Sequence, residues 1–292
     1  MTKYTRLRAR LGEGPGRYRF REPPAAADHQ LALVHAPEYI QRVCLGQLTD
    51  LEQRTIGFPW SEGFVERARR SVGGTIAACR AALGERVSAN LAGGTHHAQV
   101  DRGQGFCVFN DAAVAARVMQ SEARVGRVVI IDCDVHQGNG TASILAGDPS
   151  VTTFSIHCQD NFPTRKAASD IDIGLPAGTG DAEYLRALAV GLERALAGAP
   201  VDLAIYLAGV DVYRNDRYGR LRLSKAGVAA RDALVLERLG AARIPVALAM
   251  AGGYAAEIDD IVHLHATTVE LARALWARCG STWAEDPTSA AS

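Results

Sequence analysis

The sequence has little lysine, no paired cysteine motif and no long apolar run. Its only lysines are Lys3, Lys166 and Lys225 among 32 basic residues, and the formal net charge is zero. Nothing therefore indicates general affinity for nucleic acid or an anionic membrane. None of the six cysteines forms a CxxC pair, which argues against a structural zinc ribbon. With no signal peptide and no membrane-length segment, we expect a cytoplasmic protein.

The composition is that of an ordinary globular domain. Of 292 residues, 48% are hydrophobic and 22% are charged, which suffices for one large α/β core. No linker or internal repeat divides the chain. We predict a single domain over residues 1–280 and a disordered tail over residues 281–292.

Short apolar runs alternate with helical patterns along the chain. Strands are predicted at residues 87–91, 128–131, 151–156, 203–207 and 244–250. Helices are predicted around residues 4–11 and 257–278, and after the capping residues Ser61, Asn110 or Asp111, Asp181 and Ser224. This alternation predicts an open, mostly parallel sheet with helices on both faces.

A polar cluster directly follows the central strand Val128–Ile131. Asp132, Asp134 and His136 occupy alternate positions, so their side chains point to the same side of the chain. In open α/β sheets, ligands bind at the carboxyl ends of the strands. Asp-x-His at this spacing can place an oxygen and a ring nitrogen on one metal ion. The same residues are compatible with capping of neighbouring loops, so on their own they leave both interpretations open.

Other predicted strands also end in polar residues, several of them beyond glycine turns. Glycine lets backbone and ligand approach closely, so this distribution is typical of a binding or catalytic site. An adjacent histidine pair is also poorly explained as two core histidines. The residues are His96, His97, Ser155, His157, Asp211 and Tyr254.

Five segments, in order along the chain, resemble the metal-dependent histone deacetylase superfamily. They are Gly93-Gly-Thr-His-His97, Gly105-Phe-Cys-Val-Phe-Asn-Asp111, Ile131-Asp-Cys-Asp-Val-His-Gln-Gly-Asn-Gly140, Ala208-Gly-Val-Asp211 and Gly252-Gly-Tyr254. The similarity spans roughly residues 30 to 275, and Asp101-Arg-Gly103 is most like class IV and its bacterial relatives. The resemblance implies a three-layer α/β/α fold of the arginase/deacetylase type.

The resemblance also implies a catalytic metal and its chemistry. Asp134, His136 and Asp211 would bind Zn²⁺, with Fe²⁺ as the alternative. The metal would activate a water molecule and polarise the amide carbonyl. His97 would act as the general base, and Tyr254 would donate its hydroxyl to the oxyanion.

Supporting roles follow from the same resemblance. His96 would assist electrostatically and be oriented by Asp132. Asn139 stands where many family members have Asp as the partner of His97, and a neutral partner keeps an imidazole neutral to lower pH. A K⁺ or Na⁺ ion would bind Asp132 and the backbone carbonyls of Asp134, His136 and Ser155.

The substrate channel implied by the resemblance is a narrow tube. Phe106 and Phe162 would be its walls, and the Gly105 carbonyl would accept the amide N–H. The substrate would be the acylated lysine of a protein or a small acylated amine. Deacylation of N-acetyl-lysine is expected, with acetylpolyamines, other small amides and long-chain acyl-lysines as alternatives. The oligomeric state stays open.

Two features depart from the family. Its members usually have a strand and a loop with His and Pro before the Lys-Tyr that here is Lys3-Tyr4. Since loss of that strand would leave sheet groups unpaired, we expect the native reading frame to begin upstream of Met1. The segment around Phe162 is also short and basic, with Arg165 and Lys166, so substrate identity is not carried over.

Two other classes of function are weaker alternatives. A two-metal ureohydrolase needs additional bridging carboxylates, but no second aspartate lies two residues after Asp211. A non-catalytic acyl-lysine reader would be expected to lose the histidine pair, a metal ligand or Tyr254, and all are present.

Overall fold

The computed structural model describes residues 2–13 and 17–283. Its strands are β1 (Val87–Asn90), β2 (Val128–Asp132), β3 (Val151–Cys158), β4 (Ile171–Leu175), β5 (Leu203–Leu207) and β6 (Val246–Ala249). Its helices are α1 (Thr2–Gly12), α2 (Asp28–Leu31), α3 (Pro37–Cys44), α4 (Asp50–Ile56), α5 (Glu62–Glu85), α6 (Asp111–Ser121), α7 (Asn139–Leu145), α8 (Asp181–Ala195), α9 (Lys225–Ala241) and α10 (Ile258–Trp283).

The six strands form one parallel sheet that is covered on both faces. Their order is β1–β6–β5–β2–β3–β4. In β2, Val129 and Ile131 pack into the core beneath α8, α9 and α10, whereas Val128 and Ile130 pack into the core beneath α5 and α6. A strand buried on both faces needs apolar side chains at every position, which explains the continuous run. The predicted three-layer α/β/α architecture is confirmed.

The chain reverses its direction of progress across the sheet between β2 and β5. From β2 it proceeds through β3 to β4 at one edge, then returns to β5 on the other side of β2 and continues to β6. β2 and β5 pair directly, with Asp132 opposite Leu207. Their carboxyl ends therefore meet at a topological switch point, where α/β sheets form their ligand crevices.

Several boundaries differ from the sequence-based prediction. Asp181 is not an N-cap: Gly180 takes that position, and the Asp181 carboxylate accepts hydrogen bonds from the backbone and hydroxyl of Ser224. The last helix continues to Trp283, because no proline interrupts it before Pro287. The predicted tail stays a prediction, and its residues 284–292 lie outside the described part.

Three of the predicted helix N-caps agree with the structure. The side chains of Ser61, Asn110 and Ser224 each accept the expected hydrogen bond from a backbone N–H in the first turn of their helix.

β1 and β4 are the edges of the described sheet. A strand ahead of Lys3 stays a prediction, as does the single-domain boundary. No helix within residues 2–13 and 17–283 is long and apolar enough to cross a lipid bilayer.

Candidate active site

The loops after β2 and β5 bring together the three predicted metal ligands. His136 Nδ1 lies 3.0 Å from Asp134 Oδ1 and 3.3 Å from Asp211 Oδ2. Candidate ligand atoms of all three residues lie within 4.8 Å of one another, and no other such cluster of three occurs in the described residues. Asp211 Oδ2 is buried without a hydrogen-bond partner. An orphaned carboxylate oxygen beside a second carboxylate and an imidazole fits a divalent metal ion.

Backbone N–H groups orient both carboxylates. Asp134 accepts hydrogen bonds from the N–H groups of His136 (2.9 Å) and Gly252 (2.8 Å), and Asp211 accepts one from Val135 (2.9 Å). A Cβ atom at Gly252 would lie 1.9 Å from Asp211 Oδ2, so the glycine is required for this close approach. The ligand geometry is thus fixed by the protein itself.

The pKa shifts of the predicted ligand residues indicate that negative charge is concentrated at this site. Burial, reinforced by Asp134, raises the pKa of Asp211 to about 7. Burial alone would lower the pKa of His136, but the adjacent carboxylates of Asp134 and Asp211 raise it to about 10. Two buried carboxylates are costly unless paired with positive charge. A bound divalent cation would supply that charge.

The adjacent histidines His96 and His97 have different partners. His96 Nδ1 lies 2.6 Å from Asp132 Oδ2, and His97 Nδ1 lies 2.8 Å from Asn139 Oδ1. Although burial opposes it, the nearby carboxylates of Asp132 and Asp134 raise the pKa of His96 to about 9. Burial and the neighbouring His96 and His136 place the pKa of His97 well below its usual value. The surroundings therefore favour the charged form of His96 and the neutral form of His97.

The tautomer of His97 follows from its partner. An amide oxygen only accepts, so His97 Nδ1 donates its hydrogen to Asn139 Oδ1. The lone pair of the neutral ring then lies on Nε2. The two histidine rings are 4.1 Å apart, and the His97 ring lies 5.9 Å from that of His136. A proton acceptor thus stands beside the three ligand residues.

The loop with the histidine pair is anchored by the start of α6. The Asp111 carboxylate accepts the N–H groups of Gly94 (2.9 Å) and Thr95 (2.7 Å). The Asn110 side chain donates to the carbonyl of Ala98 at 3.2 Å. The sequence motif contains both residues, but the sequence analysis gave them no role in the site. Their role depends on a tertiary contact that the motif does not reveal.

Tyr254 lies at the cleft with its backbone held by a carboxylate that the sequence analysis missed. Asp216 accepts hydrogen bonds from the N–H groups of Tyr254 (2.6 Å), Tyr218 (2.9 Å) and Gly219 (3.0 Å). Burial and the charges of Asp134 and Asp211 raise the pKa of Tyr254. Its phenol therefore stays protonated and able to donate a hydrogen bond.

A cleft of about 2500 Å³ opens above these residues. Phe106 and Phe162 line it and are 38% and 43% exposed. The Phe162 ring centre lies 4.9 Å from that of His97, and the Phe106 ring lies 5.8 Å from that of Tyr254. Both predicted wall residues therefore flank the histidine and tyrosine.

Gly105 lines the cleft in close contact with His97 and Phe162. Its φ is +55°, and a Cβ there would lie 2.7 Å from the His97 ring and 3.2 Å from the Phe162 ring. A side chain at this position would therefore obstruct the site. Its carbonyl accepts a hydrogen bond from the Cys107 thiol at 3.4 Å.

The remaining predicted residues lie behind the ligands or beside the cleft. Asp132 Oδ1 accepts the Asp134 N–H at 3.0 Å, and Ser155 Oγ lies 2.9 Å from His157 Nδ1. Lys166 donates to the carbonyls of Gln159, Asn161 and Pro163 at 2.6–3.0 Å. Its ammonium therefore braces the loop that carries Phe162.

A buried arginine, also missed by the sequence analysis, ties the two ligand-bearing strands together. Arg231 on α9 is fully buried and donates to the carbonyls of Cys133 and Gly209. These residues immediately precede the ligand turns after β2 and β5. Its guanidinium is paired with Asp232, Nη2 lying 2.7 Å from the carboxylate. The ion pair thus supports the metal-ligand loops from behind.

Comparison with known proteins gives one family match and several similar proteins. The histone deacetylase domain family matches residues 2–269. An uncharacterized protein of Picosynechococcus sp. is 47% identical over 243 residues, which cover 83% of this chain and 81% of the relative. Histone deacetylase 2 of Arabidopsis thaliana is 31% identical over 80% of this chain. The acetoin utilization protein AcuC of Bacillus subtilis is 32% identical over 66% of it.

The matched region spans 62% of the Arabidopsis protein and 56% of the Bacillus protein. Among solved structures, a histone deacetylase homologue from Aquifex aeolicus aligns with a TM-score of 0.79 at 21% identity, over 93% of this chain and 77% of the other. An acetylpolyamine aminohydrolase from Burkholderia pseudomallei aligns with a TM-score of 0.75 at 23% identity, over 94% and 90%. These two likenesses concern the fold. The family match over residues 2–269 shows that this chain belongs to the histone deacetylase family.

Proposed function

We propose that this protein hydrolyses the amide of N-acetyl-lysine, or of a related N-acyl amine, with one catalytic metal ion. The observation that carries the proposal is the orphaned oxygen of Asp211 within a cluster of two carboxylates and one imidazole. A neutral histidine and a protonated tyrosine stand beside that cluster at the base of an aromatic cleft. These are the groups that amide hydrolysis requires.

Asp134, His136 and Asp211 would hold the metal. When bound, Zn²⁺ or Fe²⁺ supplies Lewis acidity, which polarises the acyl carbonyl and makes a water molecule more acidic. His97 accepts the proton of the attacking water at Nε2 and returns it to the departing amine. Tyr254 donates its hydroxyl to the oxyanion that develops at the acyl carbonyl oxygen.

Other residues set the protonation states of these groups. Asp132 holds His96 in its cationic form, and that charge keeps a second proton off His97. Asn139 fixes the tautomer of His97 without adding negative charge. We further propose a K⁺ or Na⁺ site formed by Asp132 and the carbonyls of Asp134, His136 and Ser155.

Phe106 and Phe162 would enclose the methylenes of the acylated amine, and the Gly105 carbonyl would accept its amide N–H. Both aromatic side chains are partly exposed along the cleft, as a substrate wall requires. The Cys107 thiol already donates to that carbonyl, which has a second lone pair for the substrate.

The test is hydrolysis of an acetyl-lysine peptide by protein stripped of metal and reloaded with Zn²⁺ or Fe²⁺. Asp134→Ala and Asp211→Ala should each abolish metal binding and turnover, because each removes a ligand. Asp259→Ala is the matched control, since Asp259 is exposed on α10 and pairs with Arg6. Full turnover by verified metal-free protein would refute the proposal.

A further inference from the structure

The mouth of the cleft is bordered by a chain of aromatic rings. The Phe58 and Phe106 ring centres are 5.2 Å apart, those of Phe106 and Tyr218 are 6.4 Å apart, and those of Tyr218 and Tyr254 are 5.2 Å apart. Aromatic faces attract cations, and a border of this kind is therefore suited to a polyamine.

Cations of the protein itself already lie against two of these rings. The Lys3 ammonium is 5.1 Å from the centre of the Tyr254 ring and donates to the Gly253 carbonyl at 3.2 Å. The Arg67 guanidinium lies 4.6 Å from the centre of the Phe58 ring. A positively charged substrate would therefore approach rings that already face positive charge.

Two further arginines flank Tyr218 at the same mouth. Arg217 and Arg220 are exposed and line the cleft. Their loop is held in place, because Asn161 donates to the Tyr218 carbonyl at 2.6 Å and accepts the Arg220 N–H at 3.0 Å. The backbone that carries the two arginines is therefore anchored to the loop of Phe162.

Few acidic side chains line the described part of the cleft that carries Arg217 and Arg220. Apart from the metal-ligand aspartates, its acidic lining residues are Glu22, Glu85 and Asp160. Glu22 pairs with Arg70 at 2.7 Å, and Glu85 pairs with Arg19 at 2.5 Å. Asp160 is two residues before Phe162, and Asp216 is buried beside Arg217. Lys3, Arg217 and Arg220 outnumber these two carboxylates, so the mouth carries an excess of positive charge.

We infer that the enzyme selects acylated amines whose remainder is negatively charged, and that Arg217 and Arg220 determine this selectivity. The inference rests on the proposed function and specifies its substrate class. It favours a lysine in an acidic peptide, or a small acylated amine with a carboxylate, over an acetylpolyamine. Clefts lined by one sign of charge raise the local concentration of ligands of the opposite sign.

The first experiment uses two small substrates that differ only in terminal charge. 6-Acetamidohexanoate and N-acetylcadaverine have the same acetamide and the same five methylenes, ending in a carboxylate and an ammonium. Acetyl-lysine peptides with acidic, neutral or basic neighbours form the second arm and distinguish a peptide from a small-molecule substrate. We expect kcat/KM to be about tenfold higher for the anionic member of each pair at low salt.

Salt and charge reversal test the cause of this preference. It should largely vanish in 1 M NaCl, where the Debye length is about 3 Å. Arg217→Glu/Arg220→Glu should remove or invert the ratio of anionic to cationic kcat/KM. The matched control Arg186→Glu/Arg194→Glu makes the same charge change on exposed positions of α8 that do not line the cleft, and should keep the ratio.

The outcomes separate the inference from the proposed function. Hydrolysis of the neutral peptide with equal rates for both charged substrates would overturn the inference and leave the proposed function standing. A preference that survives charge reversal would also overturn it. No hydrolysis of any substrate with either metal would overturn both.

Discussion

At the scale of single residues, the pKa values of two adjacent histidines are shifted in opposite directions. His96 faces the carboxylate of Asp132, and His97 faces the amide of Asn139. A carboxylate stabilises an imidazolium far more than an amide oxygen does. The two partners therefore contribute to opposite pKa shifts, although both rings are buried.

Replacing the neutral partner should change the pH dependence of catalysis. Asn139→Asp would place a negative charge against His97 Nδ1 and raise the pKa of that ring. Since the base works only when neutral, the acidic limb of the kcat/KM profile should move to higher pH by about one unit or more. A pH–rate profile of both proteins measures the shift. An unchanged acidic limb would mean that His97 is not the base.

Removing the proposed acid/base or oxyanion donor should affect chemistry more than binding. Tyr254→Phe and His97→Ala should each lower kcat by about 10²–10⁴, the range for one oxyanion donor or one general base. KM should change little, because neither residue encloses the substrate methylenes. Steady-state kinetics with a saturable acetyl-lysine peptide decide the point. A loss confined to KM would assign both residues to substrate positioning instead.

At the scale of secondary-structure elements, burial on both faces made the central strands predictable. Residues 128–131 of β2 and residues 203–207 of β5 are continuous apolar runs, which are typical of strands buried on both faces. β4 was missed because it lies at the edge of the sheet, where Asp172 and Gly174 are exposed. Its alternation is too short and polar to distinguish it from a loop.

The site was predictable to the extent that its residues follow strand ends. Asp134, His136 and Asp211 meet because parallel strands carry their following residues to one edge of the sheet. Asp216 and Arg231 act through contacts with residues distant in the chain, Tyr254 and Gly209 among them. A single sequence contains no local pattern for such contacts, so only the structure reveals them.

Arg231 on α9 holds the segments that follow β2 and β5, so its removal should lower the free energy of unfolding. Arg231→Met leaves the buried Asp232 carboxylate without its ion-pair partner and frees two strand-end carbonyls. Removing one partner of a buried pair costs about 3–5 kcal/mol in the free energy of unfolding. Arg238→Met on the same helix removes an exposed pair with Glu193 and should cost about 0–1 kcal/mol. Urea denaturation of the native protein and the two variants measures these losses. Equal losses for Arg231→Met and Arg238→Met would contradict the role proposed for Arg231.

At the scale of the whole molecule, a buried histidine joins the N-terminal helices to the rest of the fold. His35 Nδ1 donates to the Gln99 carbonyl at 2.8 Å, and Nε2 accepts the Asn110 N–H at 2.9 Å. This arrangement requires the neutral ring. It connects the segment after α2 with the cap of α6, whose first turn anchors the histidine-pair loop.

The pH dependence of stability should report this junction. Burial lowers the pKa of His35 from 6.5 to about 4, so the unfolded chain binds the proton first as the pH falls. The stabilisation is complete above pH 6.5 and is lost between pH 6.5 and about 4, by up to ~1.4 kcal/mol per pH unit. His35→Gln lacks the titrating ring, so its deficit in unfolding free energy relative to the native protein should shrink over this interval. Urea unfolding at pH 7.5, 6.5, 5.5 and 4.5 measures that difference, from which the ionisations shared by both proteins cancel. A deficit that stays constant across the series would mean that His35 does not stay neutral in the folded protein.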